Sequence, residues 1–281
     1  MQLYLPLNKV PLTLIVGVRT KQKMNIKIEI KDNKKPDTYY VNRGAKVNGY
    51  REFNLPMPQS PKGAIFTMYN VANGNLPVNK DTSFVIEKFE VGQLKDCPIW
   101  MKKDTHSFVK FAQNFAENAS ILSAGKKRPH IYRSKDAKFH IDYYDKIIDH
   151  TTGKMLMTPA RIGHQSGVIE VSKSDFMKYT VPMRMIILLH EYAHKYMNPD
   201  IAKPISYETG ADINGLSVYL SLGYSPLEAH YAFLNVFRDA NNANNTKRYK
   251  IIKDFIEKFT SGELSKCKMP TNERVKANKT R

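Results

Sequence analysis

The sequence predicts an α+β protein in two parts: an N-terminal β-sandwich-like domain, then an α+β domain built round two helices with candidate metal-ligating residues. Three observations lead there. Residues 1–95 contain short runs of alternating apolar and polar side chains separated by turn residues, the period-2 pattern of half-buried strands. From about residue 104 the apolar spacing changes to that of helices. Within that half stands His190-Glu191-Tyr192-Ala193-His194, followed by Glu208 and, one helical turn later, Asp212.

The clearest strand of the first part covers residues 24–30. Met24, Ile26, Ile28 and Ile30 fall on one face, and Asn25, Lys27 and Glu29 on the other. Residues 13–18, 64–69 and 84–91 read as further strands. Turn chemistry separates them at Asp32-Asn33-Lys34, Asn48-Gly49, residues 58–63 and Asn73-Gly74-Asn75. No catalytic pattern is present in this part, which reads as a scaffold or docking domain.

A boundary follows at residues 92–103. A helix capped by Asp104 or Thr105 then carries Phe108, Phe111, Ala112, Phe115, Ala119 and Leu122 at helical spacing, an aromatic stripe that reads as core. Strand-like runs come next at 130–133, 139–147, 154–158 and 167–172. The motif helix starts at Thr180-Val181-Pro182, with Thr180 as cap and proline in the first turn, where its missing N–H costs nothing. Apolar residues surround this helix almost completely, so it is expected to be buried. Asn198-Pro199 ends it. The next helix carries Glu208 and Asp212 and closes at Gly223. Ser225-Pro226-Leu227-Glu228 is a capping box that opens a third helix, expected to reach about Asp239. An Asn-rich break at 241–245, a final amphipathic helix and a basic tail at 266–281 complete the chain, so the expected domains are 1–95, 104–240 and 241–281.

The chemistry sits in the motif. Histidines four apart on a helix lie on the same face, so His190 and His194 can direct imidazole nitrogens at one Zn2+ ion. Glu208 supplies a third ligand. Two histidines and a carboxylate leave one position of a tetrahedral zinc open for water, the pattern of a catalytic site. Glu191 stands beside that water as general base, and Asp212 is placed to accept the spare N–H of a ligand histidine. His106, His130, His140, His150 and His164 show no ligand spacing and read as structure or surface.

The chain has 281 residues, 42% hydrophobic and 11% aromatic, ample for a folded core. The formal net charge of +18 favours polyanionic neighbours, including DNA through a basic surface, although no nucleic-acid-binding module is recognisable. Two distant cysteines, Cys97 and Cys267, argue against a disulfide framework and for a reducing or disulfide-indifferent compartment. The N-terminus lacks the features of a signal peptide, and its apolar run at 12–18 is too short to cross a bilayer, so no membrane attachment is expected.

His190 to His194 together with Glu208-Thr209-Gly210-Ala211-Asp212 resembles the zincin metallopeptidases of the gluzincin type. The likeness runs over residues 104–239 and leaves the β domain and the tail outside it. It implies a zincin-like fold and a zinc metalloendopeptidase that cleaves peptides through a zinc-activated water. A further donor to the oxyanion is then needed, with His230 and Tyr231 as first candidates and Tyr207 behind them. A peptide substrate would pair with the strand 167–172, so Gly167, Val168 and Ile169 are expected substrate-binding residues. Lys195 departs from the family, whose residue after the second histidine is usually uncharged.

More narrowly, residues 190–237 resemble metalloprotease-like proteins in the virion-structural modules of crAss-like tailed phages of gut Bacteroidales. That resemblance implies a ring or connector component of the phage tail, present in the virion and in host cytoplasm during assembly, with a homo-oligomer or other virion proteins as partners. A free-standing intracellular zinc endopeptidase, and a structural protein in which zinc only staples two helices, are the alternatives.

Overall fold

A computed structural model describes residues 1–35, 37–73, 82–197, 207–235, 243–265 and 273–274, and these form a mixed α+β protein with mostly antiparallel strands. The chain divides into two compact units. The first comprises Met1–Asp96 with Gly223–Ser225 and Met269–Arg281, and the second Cys97–Leu222 with Pro226–Lys268.

In the first unit the strands are β1 (Gln2–Leu5), β2 (Leu12–Asp32), β3 (Tyr39–Met57), β4 (Ala64–Asn70) and β5 (Phe84–Gln93). The sequence suggests separate strands at 13–18 and 24–30, but both belong to β2, which pairs antiparallel with β3 along nearly its whole length. Between Thr20 and Met24 the register shifts, with four steps on β2 against two on β3 from Gly49 to Val47. The excess is two residues, an even number, so the same alternate positions stay inward on both sides of the bulge. Leu14, Val16 and Val18 before it, and Ile26, Ile28 and Ile30 after it, are all fully buried. Each contributes about 1.5–3 kcal/mol by leaving water. Asn48-Gly49, expected as a turn, therefore lies inside β3 at the bulge. The expected turn at Asp32 is present, with Asp32 Oδ1 accepting from the backbone N–H of Lys34 (2.7 Å) and Lys35 (3.0 Å).

β4 pairs with the second half of β2 and β5 with its first half. β1 adds to β4, and a two-residue strand at Glu273–Arg274 adds to β3. The rings of Phe66 on β4 and Phe89 on β5 meet edge to face at 5.2 Å, although those strands share no ladder. The six-stranded sheet is thus folded across itself around one apolar interior, and the described strands of this unit all belong to it.

The second unit begins at Cys97, which is fully buried and disulfide-bonded. This corrects the expectation of unpaired thiols. The sequence has one other cysteine, Cys267, which lies outside the described residues. Linear separation concealed the pairing: the chain returns so that Ser265 O lies 3.4 Å from Cys97 Sγ.

Helix α1 (Lys103–Asn118) buries Phe108, Ala112 and Phe115. A four-stranded sheet follows, in the order β6 (His130–Arg133), β7 (His140–Tyr144), β9 (Ile169–Ser172), β8 (Ala160–Ile162). The run at 154–158 is not a strand and contributes only the bridge of Met155 to Ile148. The helices are α2 (Lys173–Phe176), α3 (Val181–Tyr196), α4 (Tyr207–Ser221), α5 (Pro226–Asn235) and α6 (Ala243–Ser261). α6, expected in a separate C-terminal segment, belongs to this unit. The expected stop at Asn198-Pro199, most of the turn at 73–75, and nearly all of the basic tail lie outside the described residues.

α3 starts where the sequence places it. Thr180 Oγ1 accepts from the Met183 N–H at 3.4 Å and donates to the buried carboxylate of Glu228 at 2.7 Å. The cap therefore fastens α3 to α5 as well as satisfying a terminal N–H. Thr180→Ala is expected to destabilise the protein by about 1–2 kcal/mol, read as a lowered urea midpoint, with Thr180→Ser nearer to wild type.

Candidate metal centre

The inner side of α3 is held by aromatic packing. Tyr192 stacks on Phe108 at 4.1 Å between centroids, and its hydroxyl lies 3.3 Å from Thr105 Oγ1. With Tyr192 turned into the core, His190 and His194 face the other way, towards α4 and β8.

α4 crosses α3 closely because Gly215 sits against its backbone. A side chain there would meet His190 N at 3.1 Å and the Leu189 carbonyl at 3.2 Å. This approach brings Glu208 and Asp212 to the histidines. The two Nε2 atoms are 3.0 Å apart, and Glu208 oxygens lie 3.5 Å from His190 Nε2 and 3.6 Å from His194 Nε2. A tetrahedral zinc with bonds of about 2.0–2.1 Å needs ligand separations of about 3.3 Å, so this donor set fits one ion with little movement. His190, His194 and Glu208 form the only such metal-holding group among the described residues.

Behind His190, its Nδ1 lies 2.9 Å from Asp212 Oδ1, and Asp212 is fully buried. Arg248 of α6 completes the row. It donates from Nε to Asp212 Oδ2, and from Nη2 to Asp212 Oδ1 at 2.7 Å, and Nη2 stands 3.3 Å from Glu208 Oε2. Sequence reading missed Arg248, because nothing in the spacing of 212 and 248 announces a contact.

The electrostatics follow from this row. Burial lowers the pKa of His190, but hydrogen bonds to Asp212 and Glu208 outweigh it and raise the value to about 9. Burial and the neighbouring His190 charge push His194 down to about 4. The His190 hydrogen bond, against some burial, draws Glu208 down to about 2. Burial raises Glu191 to about 7, opposed by His190 and by a hydrogen bond from the Ile162 backbone N–H.

A cleft of about 270 Å³ opens over the cluster, lined among others by Thr158, Ile162, His164, Glu191 and Glu208. His164, read as surface from the sequence, forms part of this wall. Its Nδ1 lies 3.1 Å from the Tyr207 hydroxyl, which also donates to His194 O. The earlier candidates His230 and Tyr231 do not line the cleft. His230 packs towards α6, with its ring 6.3 Å from Tyr249 and its pKa lowered by burial. The substrate strand also needs correction. β9, which contains Ile169, is paired on both sides, with β7 and with β8, so its backbone is already used. Gly167 and Val168 lie in the β8–β9 turn. The free edge beside the cleft is β8. Lys195, the departure from the family pattern, reaches back to donate to Gln165 O in that turn.

Comparison of the chain with protein-family models, with curated proteins and with solved structures finds no match.

Two outcomes follow for isothermal titration with Zn2+. His190 must lose its proton to bind an ion, so affinity rises about tenfold per pH unit from 7 towards 9 and levels off above. Asp212→Asn and Arg248→Gln each weaken binding about 10–100-fold, because the imidazole loses its fixed orientation and charge partner.

Proposed function

We propose that the second unit is a zinc-dependent peptide hydrolase of the gluzincin type. One observation carries the proposal: the buried carboxyl of Glu191 shares a cleft with His190, His194 and Glu208, and its pKa near 7 suits a group that both takes and returns a proton near neutrality. Zinc at the three ligands would supply a water acidic enough to deprotonate and a Lewis acid for the carbonyl oxygen. Glu191 takes the proton of the attacking water and delivers it to the leaving amine. The Tyr207 hydroxyl does not fill the role of oxyanion donor, because its one proton is donated to His194 O. The edge strand β8 would take an extended peptide through its outward backbone groups other than the Ile162 N–H, which Glu191 holds, and this replaces the Gly167–Ile169 assignment.

The setting we propose for this unit is the tail of a phage virion, as a ring or connector component with a homo-oligomer or other virion proteins as partners. The +18 charge supports an acidic or polyanionic neighbourhood. Among the described residues no helix is long and apolar enough to cross a membrane.

A second reading, in which the ion only joins α3 to α4, is favoured by the contact of Arg248 with Glu208, which partly neutralises a ligand. Glu191→Gln separates the two. In the hydrolase reading it keeps one zinc per chain and lowers cleavage of a casein or peptide-library substrate by about 10²–10⁴-fold. Zinc-loaded wild type that cleaves no faster than Glu191→Gln would leave the staple standing.

A further inference from the structure

Beside the four-stranded sheet lies another concavity of about 150 Å³, which shares no lining residue with the metal cleft. Lys126, Lys127, Lys146, Tyr144 and His150 line it, with Glu170 as the one carboxylate. Some lysines of this unit have acidic partners, as Lys138 does in Asp104, Lys178 in Asp175 and Lys258 in Asp254, while others stand singly on the surface. What sets Lys126, Lys127 and Lys146 apart is that they gather round one concavity. These three have no acidic partner among the described residues. Glu170 does not fill that role, because its Oε2 is taken by Arg161 Nε on the neighbouring strand and its Oε1 lies 3.7 Å from His150 Nε2.

Three like charges gathered without a counter-charge cost free energy unless a ligand offsets them. They are also held in place by the backbone. Gly125 N donates to Tyr143 O at 3.1 Å and Gly125 O accepts from Asp145 N at 2.7 Å, which locks the Lys126-Lys127 turn alongside Tyr144 and Lys146. The turn folds so tightly that a side chain at 125 would overlap the Arg128 carbonyl.

We propose that this concavity binds a phosphate group of a nucleic-acid backbone. The lining offers lysine ammonium groups, compact donors suited to phosphate oxygens, and lacks a free arginine fork for planar carboxylates. The Tyr144 phenol adds a further donor. Ile148, 45% exposed at the rim, gives an apolar wall for a sugar. The net charge of +18 attracts the polyanion from a distance, and the three lysines fix where it is held.

The test uses the full chain, a fluorescein-labelled DNA duplex and anisotropy at several salt concentrations. Lys126→Gln/Lys127→Gln/Lys146→Gln is compared with Lys110→Gln/Lys135→Gln/Lys250→Gln, which removes equal charge from exposed positions elsewhere. The first variant is expected to lose at least tenfold in affinity at about 0.1 M salt and to reduce the slope of log K against log salt by about 0.9, the value for one phosphate contact. The second should stay within about threefold of wild type, and both should bind zinc as wild type does, which reports an intact fold. Equal losses in the two variants would mean diffuse attraction and overturn the proposal. So would competition by poly-glutamate as effective as that by unlabelled DNA at matched charge, or displacement of the DNA by millimolar inorganic phosphate alone.

Discussion

The pairing of His190 with Asp212 is the contact on which the centre depends. Asp212 is fully buried, and an unpaired carboxylate there would cost several kcal/mol. Its oxygens are taken up by His190 Nδ1 from α3 and by the Arg248 guanidinium from α6. One side chain of α4 therefore ties three helices together. The same bond points His190 Nε2 at the cleft, where His194 and Glu208 converge. Gly215 allows the helix approach that makes this bond possible.

A second constraint is the short edge strand β8. Three residues long, it lies between the paired β9 and the cleft. The Ile162 N–H reaches Glu191, and Lys195 from α3 holds the β8–β9 turn through Gln165 O. Glu191, the residue after His194 and the edge strand beside the cleft are thus joined through contacts of a single hairpin. Lys195, a departure when judged by family pattern, has a structural use here.

Local pattern made much of this legible. Thr180 and Pro182 mark the start of α3 because capping is a short-range event, and HExxH fixes His190, Glu191 and His194 on one face by helical geometry alone. Glu208 and Asp212 could be placed because both fall on one following helix. What could not be read depends on tertiary approach. Arg248 and His164 reach the site from segments without ligand spacing, and His230 packs against Tyr249 of α6 and stays out of the cleft. β2 looked like two strands because Lys21-Gln22-Lys23 breaks the apolar run, while the sheet absorbs those residues as an even-numbered bulge. β8 was missed because three residues carry too little period to detect, and missing it led to β9 being taken for the edge. Cys97 appeared unpaired because its partner is remote in sequence.

X-ray absorption at the zinc edge of the zinc-loaded full chain tests the central claim most directly. The account predicts one zinc per chain with two imidazoles and oxygen ligands at about 2.0–2.1 Å, and loss of that signature in His190→Ala. A sulfur shell at about 2.3 Å, or an all-oxygen shell that persists in His190→Ala, would contradict it.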